Sequence, residues 1–173
     1  YMGAGKTTVG RALSKELNIP FYDLDWYIES RMRKTVKQIF DERGEDGFRM
    51  IEQSMLHEVA EFENVIISCG GGTPCFFDNM EYMNGQAETV YLKAETDVLY
   101  KHLLMGKSVR PLLLNKTADE VNLFIREQLK HREPFYIKAK HVLDVSLMDS
   151  YDKIQISVNQ LCQLLKLDKP KKQ

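Results

Sequence analysis

A chain of 173 residues is long enough to bury one good core and too short for two ordinary domains. Its 24 Lys plus Arg nearly balance 25 Asp plus Glu, which argues against broad nucleic-acid binding, so basic residues that serve an anionic ligand have to be placed locally. No apolar run reaches transmembrane length, nothing near the start resembles a signal peptide, and Cys69, Cys75 and Cys162 have neither metal-ligand spacing nor an even framework; a soluble cytoplasmic protein with free thiols is expected.

The chain opens inside a motif. Gly3-Ala4-Gly5-Lys6-Thr7-Thr8 is the latter part of a G-x-x-x-x-G-K-[ST] phosphate loop, whose first glycine would lie immediately before Tyr1. A parallel sheet without the strand that normally leads into this loop leaves backbone groups unpaired, so native residues are expected to precede Tyr1. Lys6 to Leu17 places Val9, Ala12, Leu13 and Leu17 on one helical face, with Asn18 and Pro20 as the stop. Phe21 to Asp25 reads as a short strand, and Thr35 with Gln38 has the form of a capping box that opens helices running to about Phe62. Phe48, Ile51, Met55, Val59 and Phe62 keep helical spacing there. Val65-Ile66-Ile67 is a β-branched run that ends in Gly70-Gly71-Gly72. Thr89 to Leu92 and Val142 to Val145 are further strands, followed by helices near 95–105 and 151–167. Strands alternating with helices imply α/β architecture, with a parallel sheet covered on both faces and ligands at the carboxyl ends of its strands. Residues 168–173 read as a solvated tail.

The phosphate loop predicts the first half of the chemistry. Glycines let main-chain N–H groups and the helix N-terminus face the oxygens of a triphosphate, Lys6 would bridge the β- and γ-phosphates, Thr7 would ligate Mg²⁺, and Thr8 would lie near the α-phosphate. Asp23 and Asp25, two apart at a strand end, would point the same way and divide the labour of supporting a hydrated Mg²⁺ and of positioning or deprotonating an acceptor hydroxyl. The plain alternative is that Asp25 caps the next helix. Arg49 has Glu52 at i+3 and the ordinary reading of a surface ion pair, and Arg110 and Arg132 lie close to Pro111 and Pro134. His57, His102, His131 and His141 share no helical face or ligand spacing and are expected at the surface.

Six pieces in order, Gly3 to Thr8, Asp23-Leu24-Asp25, Gly47-Phe48-Arg49-Met50-Ile51-Glu52, Ser68-Cys69-Gly70-Gly71-Gly72, Arg110-Pro111-Leu112-Leu113 and Arg132-Glu133-Pro134-Phe135-Tyr136, resemble the shikimate kinase family over nearly the whole chain. The resemblance implies a three-layer P-loop kinase fold with a central parallel sheet of five strands, the first lying before Tyr1. It implies one domain over 1–167, with a shikimate-binding segment at about 24–62 and a mobile lid at about 105–117. ATP would be the co-substrate, Mg²⁺ the metal, shikimate the acceptor, and the protein a monomer. Asp25 would hold the shikimate hydroxyls as base or orienter, and Asp23 would reach Mg²⁺ through water. Arg49 and Arg132 would grip the shikimate carboxylate, as planar bidentate donors suit it. The Gly70, Gly71, Gly72 run would offer backbone to substrate, Ser68 would stand near the metal, and Arg110 in the lid would contact ATP phosphates. Phe40 and Phe48 match aromatic positions of the shikimate pocket. Leu103 and the stretch Ser146 to Ser150 lack the basic residues frequent in the family's adenine site, which implies a purine held by apolar contact and backbone.

Two other readings predict different partners. Another small P-loop kinase, for gluconate or a nucleoside monophosphate, would need a different acceptor pocket. A nucleotide-binding module without catalysis would have no use for the charged residues above.

Overall fold

The structure, a computed structural model, describes residues 1–105, 117–146, 148 and 150–167. Residues 106–116, which hold Arg110 and most of the predicted lid, and the tail at 168–173 lie outside the described residues.

The first helix, α1 (Lys6–Leu17), starts where Gly3 and Gly5 turn the chain with φ of 79° and 77°, the left-handed region that glycine enters without steric cost. It stops at Asn18, also left-handed, as the stop signal predicts. Gly10 on its inner face allows close approach, because a Cβ there would lie 2.4 Å from the Phe21 ring. Strand β1 (Phe21–Asp23) pairs in parallel with β2 (Ile66–Ser68), which sets Asp23 opposite Ser68. Strand β3 (Val90–Lys93) pairs in parallel with β4 (His141–Asp144). The described strands thus form two parallel pairs, flanked by helices α2 (Leu24–Met32), α3 (Val36–Ala60), α4 (Asn79–Gln86), α5 (Thr96–Met105), α6 (Ala118–Tyr136) and α7 (Tyr151–Leu164). This is the predicted α/β class with parallel strands. Among the described helices none is long and apolar enough to cross a membrane.

The strand predicted over Phe21 to Asp25 ends two residues early. Asp23 keeps extended backbone and its Oδ1 accepts the Asp25 N–H at 3.2 Å, so it caps α2, and Asp25 lies in the first helical turn. The two aspartates are therefore not alternate positions of one strand. A short carboxylate that satisfies an orphan helix N–H wins over two more residues of sheet. The capping box at Thr35 and Gln38 forms as predicted, and a second one joins Thr117 to Glu120 at the start of α6. Within α3 the backbone leaves helical geometry at Gly44, with φ 67° and ψ −175°. The helix ends at Ala60, and Phe62 instead packs its ring on Tyr22 and Tyr27.

Two hydrophobic clusters divide the molecule. One gathers Val9, Leu13, Leu99, Ile125, Val145 and Val158 beneath the phosphate loop. The other gathers Leu24, Ile28, Ile39, Phe48, Leu56 and Val59 beneath α2 and α3. The glycine run after β2 lies between the elements these clusters support.

Candidate active site

The phosphate loop is built from backbone and short contacts. Lys6 Nζ donates to the Tyr1 carbonyl at 2.9 Å, and Thr7 Oγ1 donates to Asp23 Oδ2 at 3.0 Å. Thr8 stands exposed at the third position of α1. Ala4 is buried, Leu103 packs against the position of a Gly3 Cβ, and buried Met148 packs against that of Gly5. The flank of the loop is accordingly apolar on the side where basic residues were missing from the sequence. His102, expected at the surface, instead sets Nδ1 2.9 Å from the Gly3 carbonyl, and His57 stacks on Tyr82 with ring centroids 3.8 Å apart. Both rings sit on inward helix faces, where flat apolar area is worth more than exposure of one nitrogen.

Opposite the loop, three consecutive glycines each lie against charged side chains. A Cβ on Gly70 would lie 3.3 Å from Asp25 Oδ1, one on Gly71 would lie 3.5 Å from Arg132 Nη1, and one on Gly72 would lie 2.7 Å from both Nη atoms of Arg49. Only at Gly72 is the approach too close for a Cβ without a shift of the facing side chain. The Gly71 carbonyl accepts the Tyr136 hydroxyl, whose proton is held far above the usual tyrosine range chiefly by burial. Ser68, buried, closes the strand end beside Asp23.

Arg49 is buried, not a surface residue as its Glu52 neighbour suggested. Glu52 is 1% exposed. Its Oε2 accepts Arg49 Nη1 at 2.8 Å and its Oε1 accepts Thr73 Oγ1 at 2.7 Å. Asn79, also fully buried, donates to the Thr73 carbonyl at 2.9 Å. The Arg49 guanidinium lies 4.1 Å from the Phe76 ring centroid, 5.2 Å from Phe48 and 5.9 Å from Phe40, and those last two rings stack at 4.3 Å. Burial is repaid here only because each charge has a partner and the rings face the cation.

Asp25 has its carboxyl pushed up to about 6, first by burial, then by the negative charges of Asp23 and Glu52, against a smaller opposing pull from Lys6. A carboxylate poised near neutral pH can take a proton that an ordinary aspartate would leave. Among the described residues, Asp25, Arg49 and Arg132 come together at Gly70, Gly71 and Gly72, with Phe40 and Phe48 beside Arg49; Arg110 lies outside the described residues. Sequence reading missed Thr73, Phe76, Asn79 and Tyr136, and it gave Glu52 only an exposed pairing.

The family model described as shikimate kinase matches residues 2–165. The chain belongs to the shikimate kinase family. A shikimate kinase of Phocaeicola vulgatus is 56% identical over 161 residues, 93% of this chain and 92% of that protein. One from Bacteroides thetaiotaomicron is 53% identical and has a crystal structure that matches with TM-score 0.94, over 96% of this chain and 95% of that one. The structure of shikimate kinase from Acinetobacter baumannii in complex with shikimate matches with TM-score 0.81 at 30% identity, over 95% of this chain and 89% of that one. Membership makes this chain a P-loop kinase, a phosphotransferase that draws on ATP and serves the shikimate route to aromatic amino acids.

Proposed function

We propose that the chain transfers the γ-phosphoryl group of ATP to the 3-hydroxyl of shikimate, on a single domain spanning 1–167 in which residues 24–62 hold the acceptor. The observation that carries this is the glycine run, which gathers one carboxylate and two guanidinium groups within reach of one small acid. Gly3, Ala4, Gly5, Lys6, Thr7 and Thr8 cradle the triphosphate through main-chain N–H groups and the Lys6 charge. Arg110, by family resemblance, adds charge on the phosphates from the lid.

The acceptor is gripped at both ends. Arg49 and Arg132 take its carboxylate, Phe40 and Phe48 wall the ring, and Gly70, Gly71 and Gly72 admit it to the backbone. Asp25 then faces the hydroxyl and accepts its proton as the new oxygen–phosphorus bond forms. Holding nucleophile and phosphoryl group in line contributes most of the acceleration, since such transfer asks little covalent help from the protein.

A hydroxyl and a carboxylate oxygen 3.0 Å apart, Thr7 Oγ1 and Asp23 Oδ2, are the hard donors that fit Mg²⁺, which takes one or two protein oxygens and fills the rest with phosphate and water. Bound there, the ion would neutralise charge on the triphosphate. We read the protein as a monomer on family resemblance, which light scattering on purified protein would check, and its three free cysteines fit a reducing cytoplasm.

Coupled ADP release with Mg²⁺ATP and shikimate, gluconate or AMP tests the acceptor. ADP formation with shikimate alone is expected. Turnover with gluconate or AMP would transfer the reading to another small-molecule kinase, and ATP binding without acceptor-dependent ADP would leave a binding module.

A further inference from the structure

Arg49 already carries two carboxylates, and they are unequal. Glu52 is immobilised, since its second oxygen is taken by Thr73 and the whole side chain is buried. Glu45 Oε1 accepts Arg49 Nη2 at 3.1 Å, but its side chain is 58% exposed, and among the described residues nothing else holds it. It is also the first residue after the Gly44 break in α3, where a Cβ would meet nothing within 4 Å. Glu45 can therefore swing into solvent without disturbing packed neighbours.

The third nitrogen of the guanidinium points the same way. Arg49 Nε is buried and finds no partner among the described residues. Nε–H and Nη2–H project from one edge of the guanidinium plane, the edge that takes both oxygens of a planar carboxylate side-on. Here one half of that edge is an unmet buried donor, and the other half is covered by an exposed glutamate on a single bond. The Phe76 and Phe48 rings pack against the guanidinium, with centroids 4.1 and 5.2 Å from it. A buried donor without an acceptor is costly, and a ligand with two oxygens removes the cost where the one-point Glu45 contact does not.

We propose that Glu45 is a displaceable stand-in for the carboxylate of the acceptor. The acid enters side-on at Nε and Nη2, Glu45 leaves, and Glu52 stays to hold Nη1. The inference rests on the reading of Arg49 as a carboxylate binder. Glu45 then acts as an internal competitor that weakens the grip on any acid that arrives.

Steady-state kinetics of the full chain with Glu45→Gln and Glu45→Ala test this. Each variant should lower the KM for shikimate by roughly two- to fivefold, the worth of an exposed ion pair, with kcat and the KM for ATP nearly unchanged. Shikimate methyl ester, which has no anionic carboxylate, should show the same KM in variant and parent. A KM for shikimate that rises in both variants would make Glu45 a residue that orients Arg49, and an unchanged KM would mean that no competition exists; either result overturns the proposal. Titration calorimetry with shikimate alone separates the two layers. A parent protein that binds no shikimate defeats the site reading itself, whereas equal binding by parent and variants defeats only the role of Glu45.

Discussion

The proposed phosphate side and acceptor side of this site would hold anions by different means. On the phosphate side the donors are main-chain N–H groups at the start of α1, made available by two left-handed glycines and steadied by Lys6 and Thr7. On the acceptor side the donors are side chains, and each had to be buried with a partner: Arg49 with Glu52, Glu52 with Thr73, Thr73 with Asn79. Backbone donors are part of the helix and need no further support. Buried guanidinium and carboxylate groups bear a desolvation penalty that only their neighbours offset, so removing one member disturbs the rest. Changes on the acceptor side should therefore spread through stability, pH dependence and binding together.

The largest expected effect is at Asp25. Asp25→Asn should lose ~10²–10⁴ in turnover if the carboxylate takes the proton. With its carboxyl at about 6, kcat/KM in the parent should rise with pH through that value, and the variant should lack the limb. The stability effect has the opposite sign. The folded chain holds this proton to higher pH than an ordinary aspartate at 3.8 does, so between those values the native state binds more protons than the unfolded state. Its contribution is greatest below about 4 and is lost as pH rises through about 6. Above that, ionised Asp25 opposes folding, and Asp25→Asn should gain on the order of 2 kcal/mol relative to parent. Urea unfolding at pH 5 and pH 8, alongside the rate profile, checks both signs. Turnover near that of the parent would remove the base from the mechanism and leave Asp25 as an orienting residue.

Glu52→Gln is the next test, because Glu52 touches both Arg49 and the electrostatics of Asp25. The amide keeps the shape and a hydrogen-bonding oxygen for Thr73 but deprives a buried cation of its fixed counter-charge, which should cost about 1–3 kcal/mol in denaturant unfolding. Removing a negative charge that raises Asp25 should also move the acidic limb of kcat/KM to lower pH. A limb that stays in place would break the link between the carboxylate grip and the base.

The phosphate side was legible in the sequence because its parts are contiguous. Glycines, lysine and threonine fall within one turn of chain, and Asn18 and the Thr35 capping box are likewise local signals that the structure reproduces. The β-branched runs located the strands to within a residue or two. The acceptor side was legible only in part. Spacing drew attention to Asp23 and Asp25, yet it put both in a strand, since nothing in a D-x-D triplet says that the first will cap a helix. Glu52 looked like half of an exposed i,i+3 pair because a helical pattern does not reveal which face becomes covered by Thr73, 21 residues away. Phe76 and Tyr136 come to Arg49 and Gly71 through tertiary packing, which no window of sequence contains. The Thr117 box, by contrast, followed the same rule as Thr35 and could have been found.

The smallest effect sharpens the comparison most, because it asks the same substitution of a glycine on each side. Gly5→Ala meets left-handed backbone at φ 77°, so its cost is paid in conformation as well as in space, and it should weaken ATP. Gly72 has φ −86° and ψ −31°, which alanine adopts freely, and its nearest obstacle is the Arg49 guanidinium 2.7 Å from the new Cβ. Arg49 has to yield, since the obstacle is the end of a side chain and not a backbone atom. Gly72→Ala should therefore raise the KM for shikimate about tenfold, equivalent to about 1.4 kcal/mol, and lower the unfolding midpoint as Arg49 shifts from Glu52, while the KM for ATP stays close to that of the parent. If ATP binding fell equally, the two halves would not be separable in the way their construction implies, and the glycine run would have to be counted as support for the phosphate loop as well.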